Sequence, residues 1–517
     1  MTEHVFSINS GLPMSAQPCQ DECEHLIRIA HAMADVLSNA TAQKQSASLD
    51  EWLRRATALL DHAKLETIDG EQALENLALD LRRRWLGEAH TGSNRYMMSP
   101  PHAQVKSLAD GKRIHYPYDR WLKPNLLEQR LAAHRRPPQG WIGRSLLFAN
   151  GMSAITTTLQ LYRSLAPKLW PRSKKSPLAL HWFGGYFEIA RALKLLCDDH
   201  LHGRKHANQT TLCEIATRGA ADLILIEPVA ADIDLDVFDL DAFITAWKQR
   251  RVKRPCAIII DASLSADTFP VERLCHELAD DPPAMIVSIR SALKLDQEGL
   301  ELANGGLIDL WVSDTPDNTE RLDNFEYDLA QARTTLGVSL SQDEYAALSA
   351  PFFLDENSLT THAREVYANN RRFAETLSQS IKPDVGLLAR ISHPSLNPAN
   401  GQPWAEAPFV NLSYRPDQES ARAFLRAVLE HEAMARKLSF RSGSSFGFRA
   451  HRFEMGFVRG VKFNSLRIAI GARRGPSLDG LITLFQELAA YPDFGALRKA
   501  YPKIEAQHPK DRVQDET

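Results

Sequence analysis

An acid and a lysine follow two strongly apolar segments in the middle of the sequence. Ala257–Ile260 ends in Asp261, and Met285–Ile289 runs on through Ser291 to Lys294. Such segments are typical of strands buried on both faces of a parallel sheet, and ligands bind at the carboxyl ends of such strands. A lysine amine can form an imine with an aldehyde, and a carboxylate can keep a pyridine nitrogen protonated. The pair has the chemistry that pyridoxal phosphate requires from a protein.

Each of these residues also has an ordinary structural explanation. A lysine after a strand is commonly solvated, and an aspartate there commonly caps a helix or forms a turn. A turn at Asn150, Gly151 and Met152 strengthens the ligand interpretation, because it separates a predicted strand, Leu146–Ala149, from a predicted helix, Ala154–Leu165. A glycine turn that opens a helix offers backbone N–H groups to a phosphate, although many α/β turns share this pattern.

An arginine interrupts a later apolar segment. Arg467 lies within the predicted strand Ser465–Ile470, where an unpaired charge would be costly. A substrate carboxylate gripped by two hydrogen bonds would justify the residue, and a structural pair with an acid of the same domain would do so equally. We assign Arg467, together with Ser445 in the preceding segment Arg441–Gly447, to substrate binding.

Composition excludes several other classes of function. The chain has 517 residues and a formal net charge of −3, so we expect neither nucleic acid nor an anionic membrane as a partner. No apolar stretch reaches membrane-spanning length, and six unpatterned cysteines suit a reducing, cytoplasmic setting. His200, His202 and His206 fall in a predicted polar loop without partnering acids, so we expect no metal site.

The pattern of apolar residues predicts an α/β protein whose large, mostly parallel sheet is covered by helices on both faces. A smaller α+β domain follows it, and a helical extension precedes it. The predicted boundaries are 1–92 for the helical extension, 93–140 for a proline-rich arm that lies across another surface, 141–330 for the sheet domain, 331–507 for the α+β domain and 508–517 for a polar tail.

Taken in order, these segments resemble the cystathionine γ-synthase/methionine γ-lyase family, the Cys/Met-metabolism branch of the fold type I pyridoxal-phosphate enzymes. The similarity runs from about Tyr116 to Gly471. The family's Tyr-x-Arg, Ser-Gly-Met, Asp-Asn-Thr, Ser-x-Thr-Lys and Arg-Leu-Ser-Val-Gly motifs correspond here to Tyr118-Asp-Arg120, Asn150-Gly-Met152, Asp261-Ala-Ser263, Ser291-Ala-Leu-Lys294 and Arg467-Ile-Ala-Ile-Gly471.

The resemblance implies a role for each matched residue. Lys294 would form the Schiff base, Asp261 would hold the ring nitrogen, and Arg467 would bind the carboxylate of an amino acid substrate. Tyr118 and Arg120 would reach the cofactor of a neighbouring subunit, so a dimer or tetramer with shared sites is implied. The remaining cofactor contacts would come from Asn150, Gly151, Met152, Ser263 and Ser291.

One departure bears on the reaction. Where the family has a tyrosine that stacks on the cofactor ring and passes protons, this chain has Phe183, followed by two glycines and Tyr186. Phenylalanine can stack but cannot donate a proton, which a halide leaving group does not need. We therefore expect a lyase acting on an amino acid with a γ-leaving group, with the family's terminal-alkyne (propargylglycine) synthases, which eliminate halide from a chlorinated allylglycine, as a candidate branch. Tyr186 is a candidate replacement proton carrier.

Other reactions fit the same residues. The resemblance also allows γ-substitution or β- or γ-elimination on sulfur amino acids, since these are the reactions of the family. An aminotransferase or a racemase would use the same Asp261 and Lys294. A non-catalytic homologue that binds the cofactor and serves as an assembly or sensor subunit is the alternative outside enzymes.

Overall fold

Three helices open the described part of the chain. The computed structural model describes residues 17–40, 46–60, 65–101, 105–170, 177–382, 385–397, 402–415, 419–456 and 464–507. The first three helices are α1 (Pro18–Ala40), α2 (Ser46–Leu60) and α3 (Ile68–Ala89). Their apolar faces bury Leu26, Trp52, Leu74 and Trp85 in one shared core, so the predicted helical extension is present and packs on the body of the protein.

The proline-rich arm packs against its own chain. It contains short turns of 3-10 helix at Ser93–Arg95 and Asp119–Trp121, a hairpin of β1 (Lys106–Ser107) and β2 (Arg113–Ile114), and helix α4 (Asn125–His134). Ile114, Tyr116, Leu122, Leu127 and Leu131 are buried in the same core as the three preceding helices. The arm therefore contributes apolar side chains to the fold.

A seven-stranded sheet forms the centre of the molecule, with strand order β3-β9-β8-β7-β6-β4-β5. In chain order its elements are β3 (Trp141–Phe148), α5 (Gly151–Leu169), β4 (Leu178–Phe183), α6 (Phe187–Leu196), β5 (Leu201–His206), α7 (Gln209–Arg218), β6 (Leu223–Ile226), α8 (Leu240–Lys248), β7 (Ala257–Asp261), α9 (Val271–Glu277), β8 (Met285–Ser291), α10 (Ala292–Leu295), β9 (Gly306–Ser313) and α11 (Pro316–Thr335). Strands β4 to β8 pair in parallel, and β9 is antiparallel to both of its neighbours.

Both faces of this sheet are covered, as the apolar strands predict. On one face Leu225 and Ile259 pack with Leu159 of α5 and Phe325 of α11. The opposite face packs against α7, α8 and α9 and against aromatic residues of the C-terminal domain. Because the parallel strands are in register, their carboxyl ends lie along one edge, with Ile260 opposite Ser288 and Asp261 opposite Ile289. This edge positions the candidate site.

A smaller sheet organises the C-terminal part. Its elements are α12 (Gln342–Leu348), α13 (Glu356–Ser378), β10 (Leu388–Ser392), β11 (Val410–Tyr414), α14 (Glu419–Ala435), β12 (Phe440–Ser442), β13 (His451–Gly456), β14 (Asn464–Ala469), α15 (Pro476–Ala489), α16 (Phe494–Ala500) and α17 (Pro502–Gln507). The five strands are ordered β10-β11-β14-β13-β12, and only β12 and β13 pair in parallel. The predicted polar tail, residues 508–517, lies outside the described residues.

The structure confirms the fold class and corrects some local predictions. The segment that carries His202 and His206 is strand β5 and not a polar loop, and His206 forms a hydrogen bond of 2.9 Å with His181 of β4. As an edge strand it pairs with one neighbour only, so its outward side chains remain polar and hide the strand pattern. Strand β3 is longer than predicted because Trp141–Ser145 pairs with β9. Among the described residues, no helix has the length and apolar character that crossing a bilayer requires.

Candidate active site

The structure brings Asp261 and Lys294 to the same edge of the central sheet. Asp261 ends β7, and Lys294 lies in the short helix α10 that follows the adjacent strand β8. The Nζ of Lys294 donates a hydrogen bond of 2.5 Å to the Oγ of Ser445, and it lies 5.0 Å from the ring centroid of Phe446. The lysine is therefore in contact with the C-terminal domain, which covers this edge of the sheet.

Burial changes the titration of both groups. It lowers the pKa of Lys294, the Arg467 guanidinium lowers that pKa further, and the carboxylates of Glu454, Glu188 and Asp261 act in the opposite direction. Burial also raises the pKa of Asp261, against hydrogen bonds from Ser263 and the charge of Lys294. A lysine whose neutral amine is accessible below its ordinary pKa is suited to attack a carbonyl group.

The N-terminus of α5 lies beside the end of β8, from which the chain continues to Lys294. Asn150 caps that helix by accepting the backbone N–H of Ser153 at 2.8 Å. The first N–H groups of a helix have no partner within it, so those of Gly151 and Met152 are left for an external acceptor. A Cβ on Gly151 would lie 3.2 Å from the Cβ of Ser291, so the turn approaches Ser291 closely.

Two serines connect the ends of β7 and β8. The backbone N–H of Ser291 donates to the Oγ of Ser263 at 3.0 Å, which ties the end of β8 to the loop after β7. Ser263 in turn donates its backbone N–H to Asp261 at 3.0 Å. The structure thus brings together the predicted residues of the two strand ends and of the helix turn.

The loop that carries Ser445 presses against Lys294 from the C-terminal domain. Ser445 has a φ of 76°, in the left-handed region that residues other than glycine rarely adopt. Gly447, with a φ of 81°, packs so closely on the carbonyl oxygen of Lys294 that a Cβ there would collide with it. Strain of this kind persists where the surroundings enforce it, as they do at many active sites.

Arg467 faces the same region from the middle of β14. Its Cζ lies 4.5 Å from the ring centroid of Phe409, and its Nη1 is 3.2 Å from the Oε2 of Glu454 on β13. The Nε of Arg467 is buried and has no hydrogen-bond partner among the described residues. One end of the guanidinium is thus held by protein, while its buried Nε has no acceptor among the described residues.

The segment after β4 adds a hydroxyl group near the site. Phe183 is buried, and its ring centroid lies 5.6 Å from that of Phe238, within the core that also contains Phe446. The Oη of Tyr186 donates to the Oε2 of Glu188 at 2.5 Å. Burial and this hydrogen bond raise the pKa of Tyr186, so the phenol stays protonated at neutral pH.

A buried carboxyl that sequence reasoning did not select holds this segment in place. Glu227 follows β6 and accepts the backbone N–H groups of Gly185, Tyr186 and Ala231 and the indole N–H of Trp182. Burial and the nearby Asp261 carboxylate raise the pKa of Glu227 to about 7. Its place at a strand end, directly after an apolar segment, is the signal that could have identified it.

Tyr118 and Arg120 lie away from the groups around Lys294. Both are exposed in the arm, and the Cζ of Arg120 is 5.1 Å from the ring centroid of Tyr118. Within the part of the chain that the structure describes, their side chains contact each other and not the groups around Lys294. The predicted cofactor contact from these two residues would therefore have to be made to another subunit.

Comparison with known proteins identifies the fold. No protein-family model matches the sequence, and no curated protein matches it. Cystathionine γ-synthase from Xanthomonas oryzae pv. oryzae in complex with cystathionine matches with a TM-score of 0.51 and 16% identity, over 78% of this chain and 98% of that chain. Cystathionine γ-lyase from Lactobacillus plantarum complexed with L-serine matches with a TM-score of 0.51 and 15% identity, over 79% of this chain and 99% of that chain. Apo methionine γ-lyase from Micromonospora echinospora matches with a TM-score of 0.50 and 16% identity, over 76% of this chain and 92% of that chain. The chain shares the fold of these proteins.

Proposed function

We propose that the site around Lys294 binds pyridoxal 5′-phosphate and acts on L-amino acids. The observation that carries the proposal is the meeting, at one sheet edge, of a buried carboxyl, a lysine of lowered pKa and an open helix N-terminus. These groups match the pyridine nitrogen, the aldehyde and the phosphate of that cofactor. The shared fold supports the assignment, because the matched structures are described as γ-synthases and γ-lyases.

The residues present fit the cofactor. Asp261 would hold the ring nitrogen, Lys294 would carry the covalent link, and the N–H groups of Gly151 and Met152 with Ser291 would hold the phosphate. Asn150 and Ser263 would support the phosphate site from either side. Bound there, the cofactor would supply an electron sink that stabilises negative charge at the α-carbon of an amino acid.

The chain's own residues would then position the substrate and move protons. Arg467 binds the substrate carboxylate, which supplies its buried Nε with a partner. Lys294, whose lowered pKa favours the neutral amine, removes the α proton and can return it at a neighbouring carbon. Phe183 and Phe446 exclude water from the reacting atoms, and Ser445 orients the lysine amine.

The reaction class we propose is elimination or substitution at the γ-carbon of an amino acid. A narrower version is the loss of halide from a chlorinated allylglycine to give a terminal-alkyne amino acid, because Phe183 offers no proton to a leaving group. The protonated hydroxyl of Tyr186 favours the alternative, a sulfur leaving group that takes a proton as it departs. The nature of the leaving group therefore decides between the two versions.

A turnover screen tests this proposal. Purified protein saturated with pyridoxal phosphate is incubated with amino acids that carry thioether, acyl-oxygen or chloride at the γ-carbon, and released halide, thiol, keto acid and ammonia are measured. We expect release from at least one γ-substituted substrate and no keto acid formed by amino-group transfer. Arg467→Ala should raise KM more than tenfold, since breaking a desolvated charge pair costs about 2–5 kcal/mol. Transamination as the only reaction would contradict the proposed class.

A further inference from the structure

A carboxylate occupies the substrate side of the site, directly across from Arg467. Glu454 on β13 is the cross-strand partner of Arg467 on β14. Its Oε2 lies 3.2 Å from the Nη1 of Arg467, and its Oε1 accepts a hydrogen bond of 2.9 Å from the Oγ of Ser444. Both carboxylate oxygens are thus held, and the side chain has a defined orientation although it is about one-third exposed.

This carboxylate belongs to the same site as the candidate catalytic lysine. Among the acids that act on the pKa of Lys294, Glu454 has the largest effect, ahead of Glu188 and Asp261. Ser444, which binds Glu454, directly precedes Ser445, which binds the Lys294 amine. A substrate between Arg467 and Lys294 therefore lies next to the Glu454 side chain.

The carboxylates of the site lose their positively charged partners once a substrate is bound. In the proposed function, Arg467 is taken by the substrate carboxylate, and Lys294 is taken by its covalent link or by the proton that it transfers. Glu454 and Glu188 then remain as carboxylates beside the bound substrate, and Glu188 is held by the hydroxyl of Tyr186. A negatively charged substrate side chain would meet these carboxylates in a partly desolvated site, where like charges repel strongly.

We propose that Glu454 is a specificity-determining residue that excludes amino acids with an anionic side chain. The inference rests on the proposed function and narrows its substrate class. The site takes amino acids whose side chain or leaving group is neutral or cationic, such as a thioether, an acetyl ester or a halide. Esters that carry a second carboxylate or a phosphate are rejected.

An isosteric pair of ligands tests this without requiring turnover. L-glutamine and L-glutamate have nearly the same shape and differ by one charge. Their dissociation constants for the protein loaded with pyridoxal phosphate are measured from the change in visible absorbance and by calorimetry. We expect wild type to bind glutamine at least about tenfold more tightly than glutamate.

The informative variant is Glu454→Gln, because the amide oxygen can still accept from Arg467 while the charge is lost. We expect the preference for glutamine to fall to about twofold or less, chiefly through tighter binding of glutamate. A matched control is Glu487→Gln, which removes one carboxylate from an exposed arginine–glutamate pair on α15 and should leave the preference unchanged. A second readout is the ratio of kcat/KM for the O-acetyl ester of L-homoserine to that for the O-succinyl ester. In Glu454→Gln this ratio should fall, because the anionic ester is no longer rejected.

The outcomes separate this inference from the function on which it rests. Equal binding of the two ligands by wild type, or an equal weakening of both in Glu454→Gln, would overturn the specificity role and leave Glu454 as a support for Arg467. Failure of every amino acid to change the absorbance or to release heat would overturn the proposed function, and the inference would fall with it.

Discussion

Lys294 is the residue on which the proposed chemistry depends, and its surroundings favour the neutral amine. Burial and the positive charge of Arg467 both favour the neutral amine, while the nearest carboxylates limit the effect. Arg467 therefore has two roles in this account. We propose that it binds the carboxylate of a substrate and that its charge makes the lysine a better nucleophile.

The pH dependence of cofactor attachment follows from this pKa shift. The neutral amine is the nucleophile, so the rate at which pyridoxal phosphate attaches to the cofactor-free protein should rise with pH and level off below 10.5, the ordinary pKa of lysine. Arg467→Met removes the neighbouring charge, so the midpoint should move to higher pH. Stopped-flow absorbance measures the rate, and Arg436→Met, at an exposed pair, is the control. A midpoint at or above 10.5 in wild type would contradict the shift.

The sequence predicted part of this site and missed part of it for a physical reason. Asp261 and Lys294 follow apolar segments, so the rule that ligands bind at the carboxyl ends of parallel strands was sufficient to predict that both residues lie at one edge of the sheet. The pairing of Glu454 with Arg467 depends on strand register, which no local pattern encodes. Glu227 receives its donors from a loop about forty residues earlier in the chain, so its role becomes visible only in three dimensions.

The N-terminal helices are joined to the body by a buried ion network. Glu22 of α1 accepts two hydrogen bonds, of 2.9 and 3.0 Å, from Arg473, which is 1% exposed. Arg449 connects Glu22 to Glu298, which also accepts from His25 of α1. Because Glu298 follows Lys294 closely in the chain, α1 supports the segment that positions the lysine.

Glu22→Gln should destabilise the protein. Burial alone would raise the pKa of Glu22, but Arg473 and Arg449 lower it below its ordinary 4.5. The stabilisation from ionised Glu22 is therefore present above pH 4.5 and is lost as the pH falls through the lower folded-state value. At neutral pH the variant removes the carboxylate to which the buried Arg473 donates both of its short hydrogen bonds, which costs about 3–5 kcal/mol of the free energy of unfolding.

Urea denaturation followed by tryptophan fluorescence measures this change. Glu24→Gln on the same helix is the control, since Glu24 is partly exposed and accepts a hydrogen bond from Gln20, and it should change stability by about 0.5 kcal/mol or less. Equal stability of wild type and Glu22→Gln would show that the network does not hold α1 to the body.

The side chain of Glu227 holds the segment from Phe183 to Tyr186 in place. The side chain of Glu227 accepts the backbone N–H groups of Gly185 and Tyr186, and a Cβ on Gly185 would collide with Asp232. The turn is therefore closely packed, and it presents Tyr186 at a fixed place. Glycines between two aromatic residues suggested a turn in the sequence, but the carboxyl that fills it could not be predicted from the turn itself.

The exposed position of Tyr118 and Arg120 leads to a prediction about assembly. We propose that they reach the cofactor site of a neighbouring subunit in a dimer or tetramer. If so, Arg120→Ala and Lys294→Ala damage different parts of each shared site. Co-expression of the two inactive variants should yield hetero-oligomers with one intact site and restore activity that neither variant has alone.

The activity of the co-expressed variants is compared with the activity of separately purified variants that are mixed immediately before the assay. The control pair is Asp261→Asn with Lys294→Ala, because both residues belong to the same subunit's part of the site. Each site of that hetero-oligomer keeps one defect, so activity should not be restored. Activity restored by co-expression of Arg120→Ala with Lys294→Ala, and not by co-expression of the control pair, would support sites shared between subunits. An Arg120→Ala protein with full activity on its own would contradict it.

Identification of the lysine that carries the cofactor tests the central claim most directly. The purified protein is saturated with pyridoxal phosphate, reduced with borohydride, digested and analysed by peptide mass spectrometry. We expect one stoichiometric pyridoxyl group on Lys294 and its loss in Lys294→Ala. No incorporation, or stoichiometric incorporation at a different lysine, would contradict it.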